Sequence, residues 1–502
     1  MYYFITSRQD QLTSSIEMAE IQRLKLFDEL HQPAKIITLQ YNFAHHEVEE
    51  RFGIQDRVIN IFQYFQKLSY QSDPTIESQI GTNALHQPGY VVNGQIAMVN
   101  GKKRVQVVLD PNRQNRLYSI TYYDRFGFLD RTDFYDNGCL SFSEFLEDKG
   151  RKVIRQYYNT DGLPVLTYYY RGGKGNFPVL TMIQLKDQGK TLTFDTEDDF
   201  RAYFLDQLVA NDPNPVLISD RSDYALKPFQ LMTQQNVPRY QVFHSAFTVD
   251  GQANSELFDI YKPVAGMLAS HTLSGLIAST QREANDAAER FHTKNTFAIP
   301  VKSISPKLLQ KKIPFEKRKK GQLIAVARLS NVKRLDHIIN AVITMHDKLP
   351  FVDLKIYGYD ENINNYATSN SLKQIVKHHQ AEDYIHFCGY KTDLTEVYET
   401  ADIEVLTSSF EGFAVALLEA QAHACPVVSY NINYGPSDII KDQESGILLP
   451  AGDTDSLLRT LTDLETNRDK LRRLSENAQS AVSKYSVDSI RQDWADFIKH
   501  QQ

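Results

Sequence analysis

The chain has 502 residues, 42% of them hydrophobic, enough for several buried cores, which excludes a single small module. A formal net charge of -7 excludes the global basic field that draws proteins onto nucleic acid, so no nucleic-acid partner is expected. Only Cys139, Cys388 and Cys425 are present, without CxxC or paired-histidine spacing, so neither a disulfide framework nor a metal centre is expected and a reducing cytoplasm fits best.

The amino-terminal MYYFITSRQDQ lacks a basic stretch followed by an apolar core, and no run approaches the roughly 20 apolar residues that span a bilayer. Membrane contact is expected to be peripheral at most, at the inner face.

The runs YYFIT (2–6) and KIITL (35–39) are short and β-prone. Between them SSIEMAEIQRLKLFDEL places apolar residues at 16, 18, 21, 24, 26, 27 and 30, a helical stripe. From about residue 88 to 195 the texture changes to Tyr- and Val-rich segments separated by NG, DG and GG, the signature of consecutive antiparallel hairpins. Tyr122-Tyr123-Asp124 up to Gly127 is echoed by Tyr157-Tyr158-Asn159 up to Gly162, and Phe134-Tyr135-Asp136-Asn137-Gly138 is a looser copy. This stretch is too short for a β-propeller. It reads as a β-meander inserted into an α/β domain, which resumes with the helical TEDDFRAYFLDQLV and the strand NPVLISD.

Strand and helix then alternate through YQVFHSAF, GLIASTQREANDAAERF and NTFAIPV. The basic, Pro-punctuated PKLLQKKIPFEKRKK (306–320) reads as a solvated linker, or alternatively as a patch for an anionic acceptor. Beyond it LIAVARL, DLKIYGY, IHFCGY, IEVLTSS and PVVSY alternate with helices, as in a doubly wound parallel sheet. SVDSIRQDWADFIK closes the chain as an amphipathic helix whose Trp494 suits a core anchor.

The expected fold is therefore α/β: two Rossmann-like domains facing a cleft, with an inserted antiparallel β-meander. The boundaries fall at 1–75 and 196–305 for the first domain, 76–195 for the insertion, 306–485 for the second domain and 486–502 for a returning helix. Ligands of such sheets bind at the carboxyl ends of the strands.

One stretch poses a question. FEGFAVALLEA (410–420) is apolar yet carries Glu411 and Glu419, and glutamate is rarely buried without a partner. If a helix is entered through Glu411-Gly412, eight residues turn through about 80° net, so both carboxylates face roughly one side. Gly412 lets backbone approach a ligand, and the helix start favours an anion. Taken alone, Glu411 is more often a helix-start charge and Glu419 a surface residue, but Ala416, Leu417, Leu418 and Ala420 leave little solvated face around Glu419. Two carboxylate acceptors beside an anion site suit a molecule bearing hydroxyls and phosphate, and a nucleotide sugar is one.

The stretch SSFEGFAVALLEAQAHACPVVSY resembles the E-x7-E segment of retaining glycosyltransferases of family four, which have the GT-B architecture. The resemblance runs through VARLSNVKRLDHIINA, LKIYGY, IHFCGYKTDLTEVYETADI and YGPSDIIKDQESGILLP, over most of residues 260 to 480. The insertion is similar to that of bacterial enzymes that glycosylate poly(glycerol phosphate) or poly(ribitol phosphate) wall teichoic acid, and of relatives acting on serine-rich adhesins.

The resemblance implies roles. Glu411 would orient the donor sugar and Glu419 accept from the ribose, while Arg328 and Lys333 in VARLSNVKR would hold the diphosphate and stabilise it as it leaves. Gly412, Phe413, Ala414 and Leu418 belong to the same donor-binding segment. His244 in VFHSAF, by itself more often a structural residue, would bind the sugar or place the acceptor. Ser14, Ser15 and Ile16 stand where relatives carry a Gly-rich turn near the donor phosphates, although as N-cap residues the serines need no function. Gly389 and Tyr390 would receive the base. By its own residues the turn Tyr434-Gly435-Pro436-Ser437-Asp438 reads equally as a plain structural turn or, being close to a helix start, as a second contact to the cleft.

The implied activity is transfer of glucose or N-acetylglucosamine from a UDP-sugar, with retained anomeric configuration, to a polymeric acceptor: teichoic acid, or alternatively a serine/threonine-rich adhesin. No metal or other cofactor is expected, because the two cations serve the diphosphate. A noncatalytic acceptor-binding subunit is the rival reading, against which Glu411, Glu419, Arg328 and Lys333 stand together. A sugar phosphorylase would need a pyridoxal lysine motif, and none is seen. The exposed edges of the meander favour a homo-oligomer or a related subunit as partner.

Overall fold

The computed structural model describes residues 1–9, 14–43, 45–68, 73–111, 115–147, 150–173, 175, 177–361 and 364–501. Its contacts gather the chain into two compact units, one of Met1–Thr13, Ala34–Leu217 and Asp223–Val237, the other of Ser14–Pro33, Ile218–Ser222 and Pro238–Gln502.

In the first unit the strands Tyr2–Thr6, Ala34–Thr38 and Val58–Asn60 pair in parallel. Ten strands from Val91–Asn93 to Lys190–Phe194 form one antiparallel sheet in strict chain order, so the hairpin texture of the sequence is the sheet itself. The sequence echo has a physical cause. Asp124 accepts from the backbone N–H groups of Phe126 and Phe128 at 2.8 and 2.9 Å, and Asn159 accepts from those of Asp161 and Leu163 at 3.1 and 2.9 Å. Each is an Asx turn closed by a glycine in the left-handed region, Gly127 and Gly162. Helix Pro74–Leu85 lies on this sheet: Glu77 is buried and accepts from Arg116 Nη2 at 2.6 Å and from the Leu117 N–H at 3.0 Å, beside a core of Leu85, Val105, Val107, Leu117 and Ile120.

In the second unit Arg239–Val242, Gly275–Ala278 and Thr296–Ala298 pair in parallel. A separate six-stranded parallel sheet has the spatial order Ile385–Gly389, Asp353–Tyr357, Gln322–Val326, Ile403–Leu406, Val427–Tyr430 and Gly446–Leu449. In chain order these strands read 3-2-1-4-5-6, the doubly wound arrangement whose order reverses between Gln322–Val326 and Ile403–Leu406. The sixth strand, GILL, was not among the strands read from sequence. Helix Val487–His500 buries Trp494, whose ring meets Phe27 edge-on at 5.4 Å and lies under the Arg23 guanidinium at 5.0 Å.

Two expectations need correction. The 306–320 segment is not simply a solvated linker. Arg318 is 6% exposed and donates to the carbonyls of Tyr398, Ala401 and His423 and to Ser475 Oγ, because a guanidinium can satisfy several helix-end carbonyls at once. Nor do the two glutamates share one helix: the helix is Val415–Ala422, entered through Ala414 in the left-handed region, and Glu411 sits in the loop before it. The 80° argument therefore does not apply to the pair.

Candidate active site

The site grows from the switch point of the six-stranded sheet. Gln322–Val326 and Ile403–Leu406 are adjacent and parallel, so the loops leaving their carboxyl ends run side by side. Ser409 N–H donates to the Val332 carbonyl at 2.7 Å, and Thr407 Oγ1 donates to the carbonyls of Lys333 and Arg334 at 3.0 and 2.9 Å. Those bonds lock the two loops together. Lys333 Nζ consequently lies 2.6 Å from Glu411 Oε1, which also accepts from Ser408 Oγ at 2.6 Å. Below them Glu404 is fully buried and accepts from the Val326 N–H at 3.1 Å; burial pushes its carboxyl well above the usual carboxylate range.

Gly412 shows how closely the Glu411 loop approaches the neighbouring strand end. A Cβ there would lie 2.5 Å from the carbonyl carbon and oxygen of His244, so only glycine fits. Glu411 N–H donates to the Asn433 carbonyl and the Tyr434 N–H returns to the Glu411 carbonyl, both at 2.8 Å, which fixes the carboxylate's backbone. The turn Tyr434-Gly435-Pro436-Ser437-Asp438 thus supports this loop. Phe413, Ala414 and Leu418 are buried side chains, so they can meet a ligand only through their backbone.

His244 follows Arg239–Val242. Its Nε2 lies 2.8 Å from Asp220 Oδ1, and Asp220, which is wholly buried, accepts a bidentate pair from Arg23 at 2.6 and 2.9 Å. Burial pushes the Asp220 carboxyl up, but the Arg23 guanidinium and His244 outweigh it and hold it down at about 2.

Ser14 caps helix Ser15–Glu29 in a capping box with Glu17, and Glu17 also accepts from Arg221 Nη2 at 2.5 Å. Ser15 is exposed and Ile16 half-buried. Arg328, about half exposed, pairs with Glu361. Tyr359 lies in the field of Arg328, Glu17, Glu361 and Arg221, and burial raises its phenol. The Ser14 cap and Arg328 therefore border one polar region. Gly389 and Tyr390 end the outer strand Ile385–Gly389, with the Tyr390 ring 6.2 Å from that of Tyr359.

Glu419 stands on helix Val415–Ala422, paired with Lys302 Nζ at 3.0 Å and accepting from Tyr398 OH at 3.5 Å. Arg23, Glu17, Asp220, Arg221, Lys302 and Glu361 were all missed by sequence reasoning. Arg23 and Glu17 hid within an apparently amphipathic helix that in fact buries them. The others carried no spacing signal, since their partners come from distant elements.

The arrangement sets a lysine and an arginine beside carboxylates at the ends of parallel strands, with a glycine where the backbone must come close. It can hold a polyanion and offer acceptors to hydroxyls.

Residues 307–481 match the family of glycosyl transferases group 1. Along its length the chain is 25% identical over 460 residues to the UDP-N-acetylglucosamine--peptide N-acetylglucosaminyltransferase GtfA subunit of Streptococcus pneumoniae, covering 88% of this chain and 86% of that one. It is 21% identical over 526 residues to the poly(glycerol-phosphate) alpha-glucosyltransferase of Bacillus subtilis, covering 98% and 74%. The crystal structure of a mutant Staphylococcus aureus TarM in complex with Fondaparinux, alpha-GlcNAc-glycerol and UDP superposes with a TM-score of 0.81 at 18% identity, over 99% of both chains. Residues 307–481 thus resemble the group 1 glycosyl transferases, and the chain as a whole carries the GT-B fold with an inserted ten-stranded antiparallel sheet.

Proposed function

We propose that the protein is a retaining hexosyltransferase that moves glucose or N-acetylglucosamine from a UDP-sugar to hydroxyls of a polymeric cell-surface acceptor, wall teichoic acid poly(polyol phosphate). The Lys333–Glu411 pair at the switch point of the parallel sheet carries this reading. A diphosphate there meets Lys333 and Arg328, which stabilise the charge that grows as the sugar leaves. Glu411 is fixed by Ser408 and its backbone bonds to receive sugar hydroxyls, and Glu419 to receive those of the ribose. His244, held by Asp220, stands across Gly412 from Glu411 and limits where an acceptor can enter. The departing phosphate takes the acceptor proton on the face it leaves from. With two fixed cations serving the diphosphate, this reading calls for no metal in the donor site.

A second reading, O-glycosylation of serine/threonine-rich adhesins alone or beside a noncatalytic subunit, is favoured by the likeness to the GtfA subunit over 88% of the chain. Self-association or a subunit contact through the inserted sheet is part of both readings, since that sheet ends in edge strands and exposes Val91, Phe126, Phe128 and Phe177. No helix among the described residues is long and apolar enough to cross a membrane. We place the protein in the cytoplasm, at most peripheral to the membrane. Incubation of the purified chain with each UDP-sugar and with poly(glycerol phosphate), poly(ribitol phosphate) or a serine-rich peptide, followed by mass spectrometry, tests both readings. Absence of transfer to any of them, with no UDP affinity by calorimetry, would sink the proposal.

A further inference from the structure

We propose that His45, His46 and Asp136 form a site for one divalent cation of the zinc class, which staples the inserted sheet to helix His45–Phe52, independently of the donor site. One ligand atom from each residue lies within 4.8 Å of the others. His45 opens that helix and Asp136 ends the strand Leu129–Asp136, so the three groups meet only in the folded unit.

The geometry is that of a metal shell with its supporting partner. His45 Nε2 stands 3.5 Å from Asp136 Oδ2, close to the roughly 3.3 Å edge between two ligands of a tetrahedral ion with bonds near 2.0 Å. On the other side of the same ring Nδ1 is 3.0 Å from Glu49 Oε1. A carboxylate on the far nitrogen fixes a histidine's tautomer and aims its other nitrogen at a metal. The His46 ring lies against it, centroids 3.7 Å apart, and the Gln63 carboxamide nitrogen touches His45 Nε2, so an ion there displaces that contact and a water can take the fourth position. Asp136 is wholly buried, His45 and Glu49 nearly so, and positive charge between two buried carboxyl groups offsets the cost of ionising them. Two imidazoles with one carboxylate select zinc, cobalt, nickel or copper over calcium and magnesium.

Nothing in the sequence announces this, because neighbouring histidines and an aspartate in another element make no spacing motif. The rival occupant is a proton, with His45 standing as an imidazolium between Glu49 and Asp136.

The full chain is stripped with chelator and titrated with Zn²⁺ by calorimetry and with Co²⁺ by visible absorption at neutral pH. The expected result is one ion per chain, with the intense d–d bands of four-coordinate cobalt. Glu49→Gln should weaken binding about 10- to 100-fold, while His46→Gln and Asp136→Asn should abolish the bands. Since Asp136 is buried, circular dichroism accompanies its variant, and His46→Gln, at a partly exposed position, reads the site without that risk. No stoichiometric binding to the stripped chain, or binding unchanged in His46→Gln, would overturn the proposal.

Discussion

Asp220 Oδ1 and His244 Nε2 are 2.8 Å apart, and because an ionised carboxylate can only accept, the histidine donates from Nε2 and turns Nδ1 toward its other side. The folded-state pKa of Asp220 is depressed to about 2 against a usual 3.8, with Arg23 opposing the effect of burial. Its stabilising contribution is therefore present above about pH 4 and is lost as pH falls toward 2. Asp220→Asn should cost about 3–5 kcal/mol at neutral pH by leaving Arg23 buried without its counter-charge. In urea unfolding, the gap between parent and variant should narrow between pH 4 and pH 2; a gap independent of pH would contradict this assignment.

Lys333 and Glu411 face one donor in the proposed mechanism. Lys333→Ala should lower kcat roughly 10²- to 10³-fold, as removal of one donor to a developing anion does elsewhere. Steady-state kinetics with the preferred UDP-sugar would check it, and a variant that changed only KM would reassign Lys333 to ground-state binding.

Glu419 is paired with Lys302 at 3.0 Å. Glu419→Ala should weaken UDP at least about tenfold, about 1.4 kcal/mol, as measured by calorimetry. Unaltered affinity would remove the ribose assignment. A double-mutant cycle with Lys302→Ala separates the ion pair from the ligand contact.

Gly412→Ala sets a methyl group 2.5 Å from the His244 carbonyl. Backbone cannot yield as a flexible side chain does, so about 1–3 kcal/mol of stability should be lost. Transfer should fall with it, because the Glu411 loop must retreat. Thermal melting together with activity would reveal a methyl that is accommodated, through an unchanged Tm.

Far from the donor residues, Glu465 on helix Thr454–Thr466 is buried, and burial together with Asp402 pushes its carboxyl up to about 8. A carboxyl raised in the folded state favours folding while protonated and opposes it once ionised, so stability should decline as pH rises from about 4.5 to 8. Glu465→Gln should remove that decline, gaining on the order of a few kcal/mol at pH 8 and little at pH 5. Equal Tm shifts at both pH values would count against it.

Much of the architecture was legible in the sequence because it rests on local rules. Asp124-to-Gly127 and Asn159-to-Gly162 announce hairpins since an Asx side chain and a glycine close the turn within five residues. Apolar strands alternating with helices announce a parallel sheet for an equally local reason. The sixth strand escaped because GILL opens on a glycine and has Ile447 as its one β-branched residue, so its local strand propensity is weak.

The candidate site was legible only in part. Arg328, Lys333 and Glu411 stand out because they follow strands that read clearly, and strand ends are where a doubly wound sheet binds ligands. The sequence by itself therefore determined the class of fold and the residues placed at the sheet's edge. Only the tertiary structure decided that Glu411 pairs with Lys333 off the helix, that Arg23 and Asp220 anchor His244, and that His45, His46 and Asp136 converge. Turn and strand propensities act between neighbours in the chain, whereas these pairings join elements far apart, and which side chains meet is fixed by strand order and packing.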